Sequence, residues 1–192
     1  MAARVGFPAA CKLVSSRLVH KAEAGGVILG VANPAGLARA LAQLKRKARE
    51  RRLPFDGMLV QEMVGEGVEL VLGGTADPTF GPTVLFGAGG KYVELIQDYS
   101  ISMAPVSPSE ARELVFSTRL SAALGGYRSG PKVDVRRLCR IISRFSRIMV
   151  ENPSIREMEI NPLTATGKRI LAVDTRILLG PRKDNRVAVP TP

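Results

Sequence analysis

The sequence predicts an α+β protein built mainly on antiparallel sheet. Three observations lead there. Strand-like apolar runs follow one another across short glycine or proline turns. Only three stretches carry helix start signals. Strands and helices alternate irregularly, without the regular βαβ rhythm of a doubly wound parallel fold.

The elements follow in order. Residues 8–14 read as a short buried strand interrupted by one charge, Lys12. A polar loop ends at Gly25-Gly26, and Val27 to Val31 forms a second strand. Asn33-Pro34 starts a helix, because asparagine can cap and proline is tolerated at the first helical position. That helix runs to about Arg52, with Leu37, Leu41 and Leu44 inward, and Leu53-Pro54 ends it. Strands are expected at 58–63, 68–72, 83–86 and 92–96, separated by Gly65-Glu66-Gly67, by Gly73-Gly74 through Gly81-Pro82, and by Gly87-Ala88-Gly89-Gly90. Ser107-Pro108-Ser109-Glu110 is a capping box opening a second helix. A third helix follows Pro131 and runs to about Val150, and strands at 155–161 and 169–177 close the pattern. The domain reading is a small lobe at 1–57, a large lobe at 58–178, and a disordered tail at 179–192.

At 192 residues the chain can bury a real core without disulfides. No apolar run reaches membrane-spanning length, and residues 1–8 lack the apolar segment of a signal peptide. Cys11 and Cys139 sit in apolar stretches with no metal-ligand spacing, which suits the cytoplasm. The net charge is +11, and twenty of the twenty-eight basic residues are arginine. They concentrate at 45–52 and at Arg136, Arg137, Arg140, Arg144 and Arg147, the second set spaced along one helix face. Such a face is either solvated or meets an acidic partner. Without interleaved aromatics or a nucleic-acid motif, the pattern argues against nucleic acid.

Several residues could carry chemistry. With Gly167-Lys168 as a two-residue hairpin turn, type II′ by its leading glycine, Asn161 falls opposite Asp174. Their Cβ atoms would stand about 5 Å apart, with Glu159 on the same face. An amide oxygen and carboxylates there suit Mg²⁺ carrying nucleotide phosphates; a polar, solvent-facing hairpin explains them equally. Glu62 and Glu69, on either side of the Gly65-Glu66-Gly67 turn, could bond an adenine amino group and a ribose hydroxyl, or simply be surface glutamates. Lys12 in an apolar strand asks for a partner such as phosphate, and Gly25-Gly26 would let backbone approach one closely. His20, the single histidine, shares that loop; imidazole beside phosphate can accept a phosphoryl group, although a lone histidine is more often structural.

Taken together, these stretches resemble the ATP-grasp domain (β-type subunit) of ADP-forming acetyl-CoA and acyl-CoA synthetases. The segments in family order are Gly6-Phe7-Pro8, Cys11-Lys12-Leu13-Val14-Ser15, His20 to Val27, Val60-Gln61-Glu62-Met63-Val64, Gly67-Val68-Glu69-Leu70, Asp77 to Pro82 and Phe86 to Gly90. Ala104-Pro105, Gly126-Tyr127-Arg128, Glu159 to Leu163 and Val173-Asp174 complete the set. The resemblance implies an ATP-grasp fold of two α+β lobes, with ATP or ADP as substrate and Mg²⁺ as cofactor. It implies Lys12, Gly25 and Gly26 at the phosphates, Glu62 and the Val64 backbone at the adenine, and Glu69 at the ribose. Asn161 and Asp174, with Glu159 beside them, match the metal ligands.

The implied partner is an α-type subunit that binds coenzyme A, forms an acyl phosphate and passes the phosphoryl group through its own histidine. His20 then relays that group to ADP. The implied net reaction converts acyl-CoA, ADP and phosphate into carboxylic acid, ATP and CoA. Against the family pattern the chain starts several dozen residues late, so the first lobe is expected to be incomplete. Ser102 stands where the family has an arginine expected to face phosphate, and Ala22 replaces a hydroxyl residue beside the histidine. Two other readings stay open: a nucleotide-binding ATP-grasp protein without catalysis, and a β subunit of the succinyl-CoA synthetase type, against which the histidine loop argues.

Overall fold

In the computed structural model the described residues are 5–18, 21, 24–90, 93–167 and 169–180. The chain divides into two compact units, residues 1–64 and 65–192.

The first unit is an antiparallel three-stranded sheet in the order β2-β1-β3, made of β1 (Ala9–Val14), β2 (Val27–Val31) and β3 (Gly57–Glu62). Helix α1 (Pro34–Glu50) covers one face. Its start is the one the sequence announced: Asn33 Oδ1 accepts from Gly36 N at 2.8 Å and Pro34 opens the helix. Ala40, Leu44 and Ala48 are buried against Cys11, Leu13 and Val31, with Leu37 packed alongside. The contact stripe therefore uses two alanines, which let the helix lie close to the sheet. Leu41, expected inward, is half-buried. The boundary expected after residue 57 falls after Val64 instead, because β3 pairs along its whole length with β1.

The second unit is an antiparallel sheet in the order β6-β5-β4-β7-β8, with β9 also pairing β7. Its strands are β4 (Val68–Asp77), β5 (Gly81–Ala88), β6 (Tyr99–Met103), β7 (Ile155–Thr166), β8 (Arg169–Ala172) and β9 (Thr175–Leu179). Helices α3 (Pro108–Phe116) and α4 (Val135–Glu151) cover one face. The core there joins Leu70, Leu72, Val84 and Phe86 to Leu114, Val115, Leu138, Ile142, Phe145 and Met149. Gly74 permits the close approach: a Cβ on it would meet Met149 Cγ at 2.8 Å. The arginine series of α4 lies on its outer, exposed face, as its spacing requires. Ser107 and Glu110 form the full capping box of α3, with Ser107 N donating to Glu110 Oε2 at 2.7 Å. That bond holds the Glu110 carboxyl below the usual carboxylate range.

One strand was misplaced by the sequence. Residues 93–96 form a short helix, α2 (Val93–Ile96), and the edge strand is the next segment, Tyr99–Met103. Its alternation is weak as a core signal because Tyr99, Ile101 and Met103 point to the exposed side. The expected tail splits as well: Leu179 still belongs to β9, whereas 181–192 lie outside the described residues. Among the described residues no helix is long and apolar enough to cross a membrane.

Candidate functional site

The hairpin that ends the second unit sets the site. Thr166 pairs with Arg169, Leu163 with Ala172, Ile160 with Thr175 and Glu159 with Arg176, so paired numbers sum to 335 as far as Glu157 and Leu178, as the turn predicted, and the register shifts only beyond them. Gly167 takes φ +61, as a two-residue turn with leading glycine demands. Between β8 and β9 the pairing continues through Asn161 N, which donates to Asp174 O at 3.1 Å. Asn161 therefore stands opposite Asp174, and Glu159 opposite Arg176 two rungs further along.

The glycine loop after β5 closes over this hairpin. Gly89 N donates to Glu69 O at 2.9 Å, and Gly90 N donates to Asn161 Oδ1 at 2.9 Å. Gly90 has φ +82, and a Cβ on it would run into the carboxylate of Glu69. Glu69, Gly90 and Asn161 are thus brought together, with Asp174 across the ladder. The Gly90 bond also fixes the amide orientation of Asn161, whose oxygen keeps a second lone pair. Hard-oxygen donors of this kind fit Mg²⁺, which takes one or two carboxylates and fills its shell with phosphate and water. Among the described residues no three of His, Cys, Asp and Glu cluster as a complete protein cage. An amide oxygen with Glu159 and Asp174 nearby would suit such a metal, with phosphate and water filling its remaining positions.

The same sheet carries a cleft of about 420 Å³ on the face away from α3 and α4. Gly73 and Leu85 are on its floor, Gln97 and Tyr99 on one flank, and Glu157, Glu159 and Arg176 on the other. Ser102, the position expected to face phosphate in the family pattern, does not look into it. Its partner is Val84, a fully buried residue on the helix side, and its hydroxyl donates to Met103 O at 3.4 Å.

The first unit holds the other expected residues. Lys12 is 6% exposed, on the sheet face opposite Cys11 and Leu13. Glu62 pairs with Ala9 and so falls on the Cys11 face by register; the sheet does not bring Glu62 and Lys12 together. Val64 ends the unit. The Gly25-Gly26 turn is tied internally: Gly26 N donates to Lys21 O at 2.7 Å, and Leu13 N donates to Gly26 O at 2.7 Å. Gly26 is explained by packing, since a Cβ would meet Leu13 Cβ at 3.2 Å and Leu18 Cδ2 at 3.3 Å. Gly25 takes φ +64, and its carbonyl accepts from Lys47 Nζ at 2.8 Å. Sequence reasoning missed Lys47 because it is hidden in the basic run 45–52; its helix position, one turn from buried Leu44 and beside buried Ala48, was the available signal. His20 lies outside the described residues.

The family model for the ATP-grasp domain matches residues 1–179. The chain belongs to the ATP-grasp family. Its similarity to the acetate–CoA ligase (ADP-forming) I subunit beta of Pyrococcus furiosus is 33% identity over 177 residues, 91% of this chain and 76% of that one. Acetate–CoA ligase (ADP-forming) I of Archaeoglobus fulgidus is 36% identical over 183 residues. The ATP-grasp chain spans 94% of its own length in that comparison but only 26% of the larger enzyme. Among solved structures, dinucleotide-forming acetyl-coenzyme A synthetase 1 of Ca. Korarchaeum cryptofilum, in complex with coenzyme A and Ca-AMPCP, has 37% identity and a TM-score of 0.89. That likeness covers 93% of this chain and 79% of the other. A second structure of that synthetase, with Mg-AMPPCP and a phosphohistidine segment pointing towards the nucleotide binding site, gives a TM-score of 0.82 at 36% identity. The α+β, antiparallel architecture expected from the sequence is the ATP-grasp architecture.

Proposed function

We propose that this ATP-grasp chain is the nucleotide-handling, β-type part of an ADP-forming acyl-CoA synthetase. It converts acyl-CoA, ADP and phosphate into carboxylic acid, ATP and CoA, in the cytoplasm, together with an α-type partner that binds coenzyme A. Two kinds of relative support the partner: separate subunits named beta, and larger single chains of which this one matches about a quarter. Complexes of the Korarchaeum synthetase with Mg-AMPPCP and Ca-AMPCP support a metal-bound nucleotide as substrate.

The observation that carries most weight is the Asn161–Asp174 rung, held under the Gly89-Gly90 loop with Glu69 and Glu159 beside it. In this reading Asn161 and Asp174 hold Mg²⁺, with Glu159 as the adjoining carboxylate, and Glu69 bonds the ribose. From the first unit, Lys12 and the Gly25-Gly26 turn serve the phosphates, and Glu62 with the Val64 backbone serves the adenine. Because Gly26 N is already bonded to Lys21 O, that turn contributes through Gly25, whose carbonyl accepts from Lys47, while Lys12 acts from the other face of the sheet. Bound Mg²⁺ would neutralise charge on the phosphates. Phosphoryl transfer of this kind depends on positioning and charge more than on acid–base work. His20 is assigned the relay: a β-phosphate oxygen of ADP attacks the phosphorus carried on its ring nitrogen, the N–P bond breaks, and ATP leaves; with ATP supplied, the same step runs in reverse and labels the ring.

The test is to incubate the chain with γ-labelled ATP and Mg²⁺ and measure protein-bound phosphate. Acid-labile, alkali-stable label on wild type that is absent from His20→Asn supports the relay. ATP binding without label at His20 would instead favour a nucleotide-binding ATP-grasp protein that lacks this step.

A further inference from the structure

The cleft on the open face of the second unit is lined by one cationic side chain among the described residues, Arg176, to which no role has been assigned. Arg176 pairs with Glu159 across the ladder, two rungs from the Asn161–Asp174 rung. Residues two apart on a strand share a face about 6.8 Å apart, so the arginine stands within side-chain reach of whatever Asp174 binds. Its side chain is half exposed, and its recorded ion pair is long, Nη2 to Glu157 Oε2 at 3.9 Å. A guanidinium offers five donors in a planar fork. One long contact leaves most of that fork facing the cleft.

Two further observations concern the cleft itself. Arg176 is its only cationic lining residue among the described residues. Position 102, where an arginine was expected to serve phosphate, lies on the helix side of the sheet, which leaves Arg176 as the cation among the described residues that line this cleft. The floor is open because residue 73 is glycine, and no packing demands it. A Cβ on Gly73 would find Leu85 Cβ at 3.7 Å and Cδ2 at 3.9 Å, which is ordinary contact. The missing side chain leaves room directly between Leu85 and the Glu159–Arg176 rung.

We infer that Arg176 is a phosphate-binding residue: its guanidinium takes the terminal phosphate of the nucleotide, with the polyphosphate lying in the cleft over Gly73. This rests on the nucleotide reading above and extends it to a residue and a floor position. The competing explanation is electrostatic: Glu157, Glu159 and Asp174 put three carboxylates around one arginine, which could be only their counter-ion. The two make opposite predictions. Neutralising a counter-ion leaves the carboxylates freer for a metal and does not weaken phosphate binding. Neutralising a phosphate ligand weakens ATP and ADP and spares AMP.

The experiment is calorimetric titration of the full chain with ATP, ADP and AMP in Mg²⁺, comparing wild type with Arg176→Gln, Arg176→Lys and Gly73→Val. Loss of a charge-assisted contact predicts ATP affinity down about tenfold to a hundredfold in Arg176→Gln, with AMP changed less than about twofold. Arg176→Lys should recover part of that loss, because lysine keeps the charge without the fork. Gly73→Val should weaken ATP while leaving thermal stability near wild type. Wild-type binding of ATP that Arg176→Gln matches or exceeds overturns this assignment alone. An equal loss for AMP marks general damage to the site and also overturns it. No nucleotide binding by wild type overturns the functional reading and this inference together.

Discussion

Replacing Gly89 with alanine tests how the glycine loop builds the site. Gly89 has no positive φ, so alanine adds no backbone strain and the effect is purely steric. The new Cβ would run into the Leu70 carbonyl and lie 2.8 Å from Val71 N. These are backbone atoms of the central strand β4 and cannot swing aside as a side chain can. The loop must lift, which stretches the bond from Gly89 N to Glu69 O and withdraws Gly90 N from Asn161 Oδ1. Overpacking of this kind costs about 1–3 kcal/mol, and each weakened hydrogen bond adds about 1 kcal/mol. Together that is about 3–5 kcal/mol, or about 6–20 °C in the melting midpoint for a protein of this size. The assay is differential scanning calorimetry of Gly89→Ala and Gly90→Ala beside wild type, with Mg²⁺-dependent ATP binding measured on the same samples. Gly90→Ala meets the movable end of Glu69 but must adopt φ +82, so about 1–2 kcal/mol is expected there. A Gly89→Ala protein melting within about 1 °C of wild type, with ATP binding intact, would refute the reasoning.

Other consequences are simpler. Ser107→Ala should destabilise by about 1 kcal/mol, measured by denaturant titration, since it removes the α3 cap. Glu110 has a depressed carboxyl pKa, from its bond to Ser107 N, so its stabilisation holds above the unfolded pKa and fades as pH falls through the lower folded value; Glu110→Gln should remove that acid-side slope from pH-dependent melts. Burial pushes both the Cys11 and Cys139 thiols up, the latter against a smaller opposing pull from Arg112 and Arg140, so neither should react quickly with a thiol reagent at neutral pH until the chain is unfolded. Lys47→Met removes the donor to the Gly25 carbonyl and should cost about 1 kcal/mol in a denaturant melt, with the same helix content by circular dichroism.

The residues explain which parts of this architecture can be read in advance. The register of β7 with β8 and β9 was legible because one short turn fixes the pairs after it as far as Glu157 and Leu178, and Asn161 and Asp174 came with it. Helix starts were legible wherever a side chain caps, at Asn33 and Ser107, because the signal is local. Strand β6 was not: Val93–Ile96 looks like a buried run but forms a helical turn, while Tyr99–Met103 exposes its apolar side. The lobe boundary was missed because pairing of β3 with β1 is non-local, and nothing in Gly57–Glu62 says which sheet it joins. The internal use of Gly26 N, the Lys47–Gly25 bond and the helix-side position of Ser102 all depend on contacts between segments distant in sequence or on strand register. Family pattern fixed the roles of Lys12, Glu62 and Glu69; the residues alone left Lys12 seeking a partner such as phosphate, and left the glutamates open between nucleotide contacts and plain surface positions.

The most direct test of the account is calorimetric titration of ATP into wild type and Asp174→Ala, each with and without Mg²⁺. The account predicts Mg²⁺-dependent binding by wild type, reduced at least about tenfold in the variant, with both proteins melting at similar temperatures. Wild-type binding that ignores Mg²⁺, or that survives unchanged in Asp174→Ala, would contradict it.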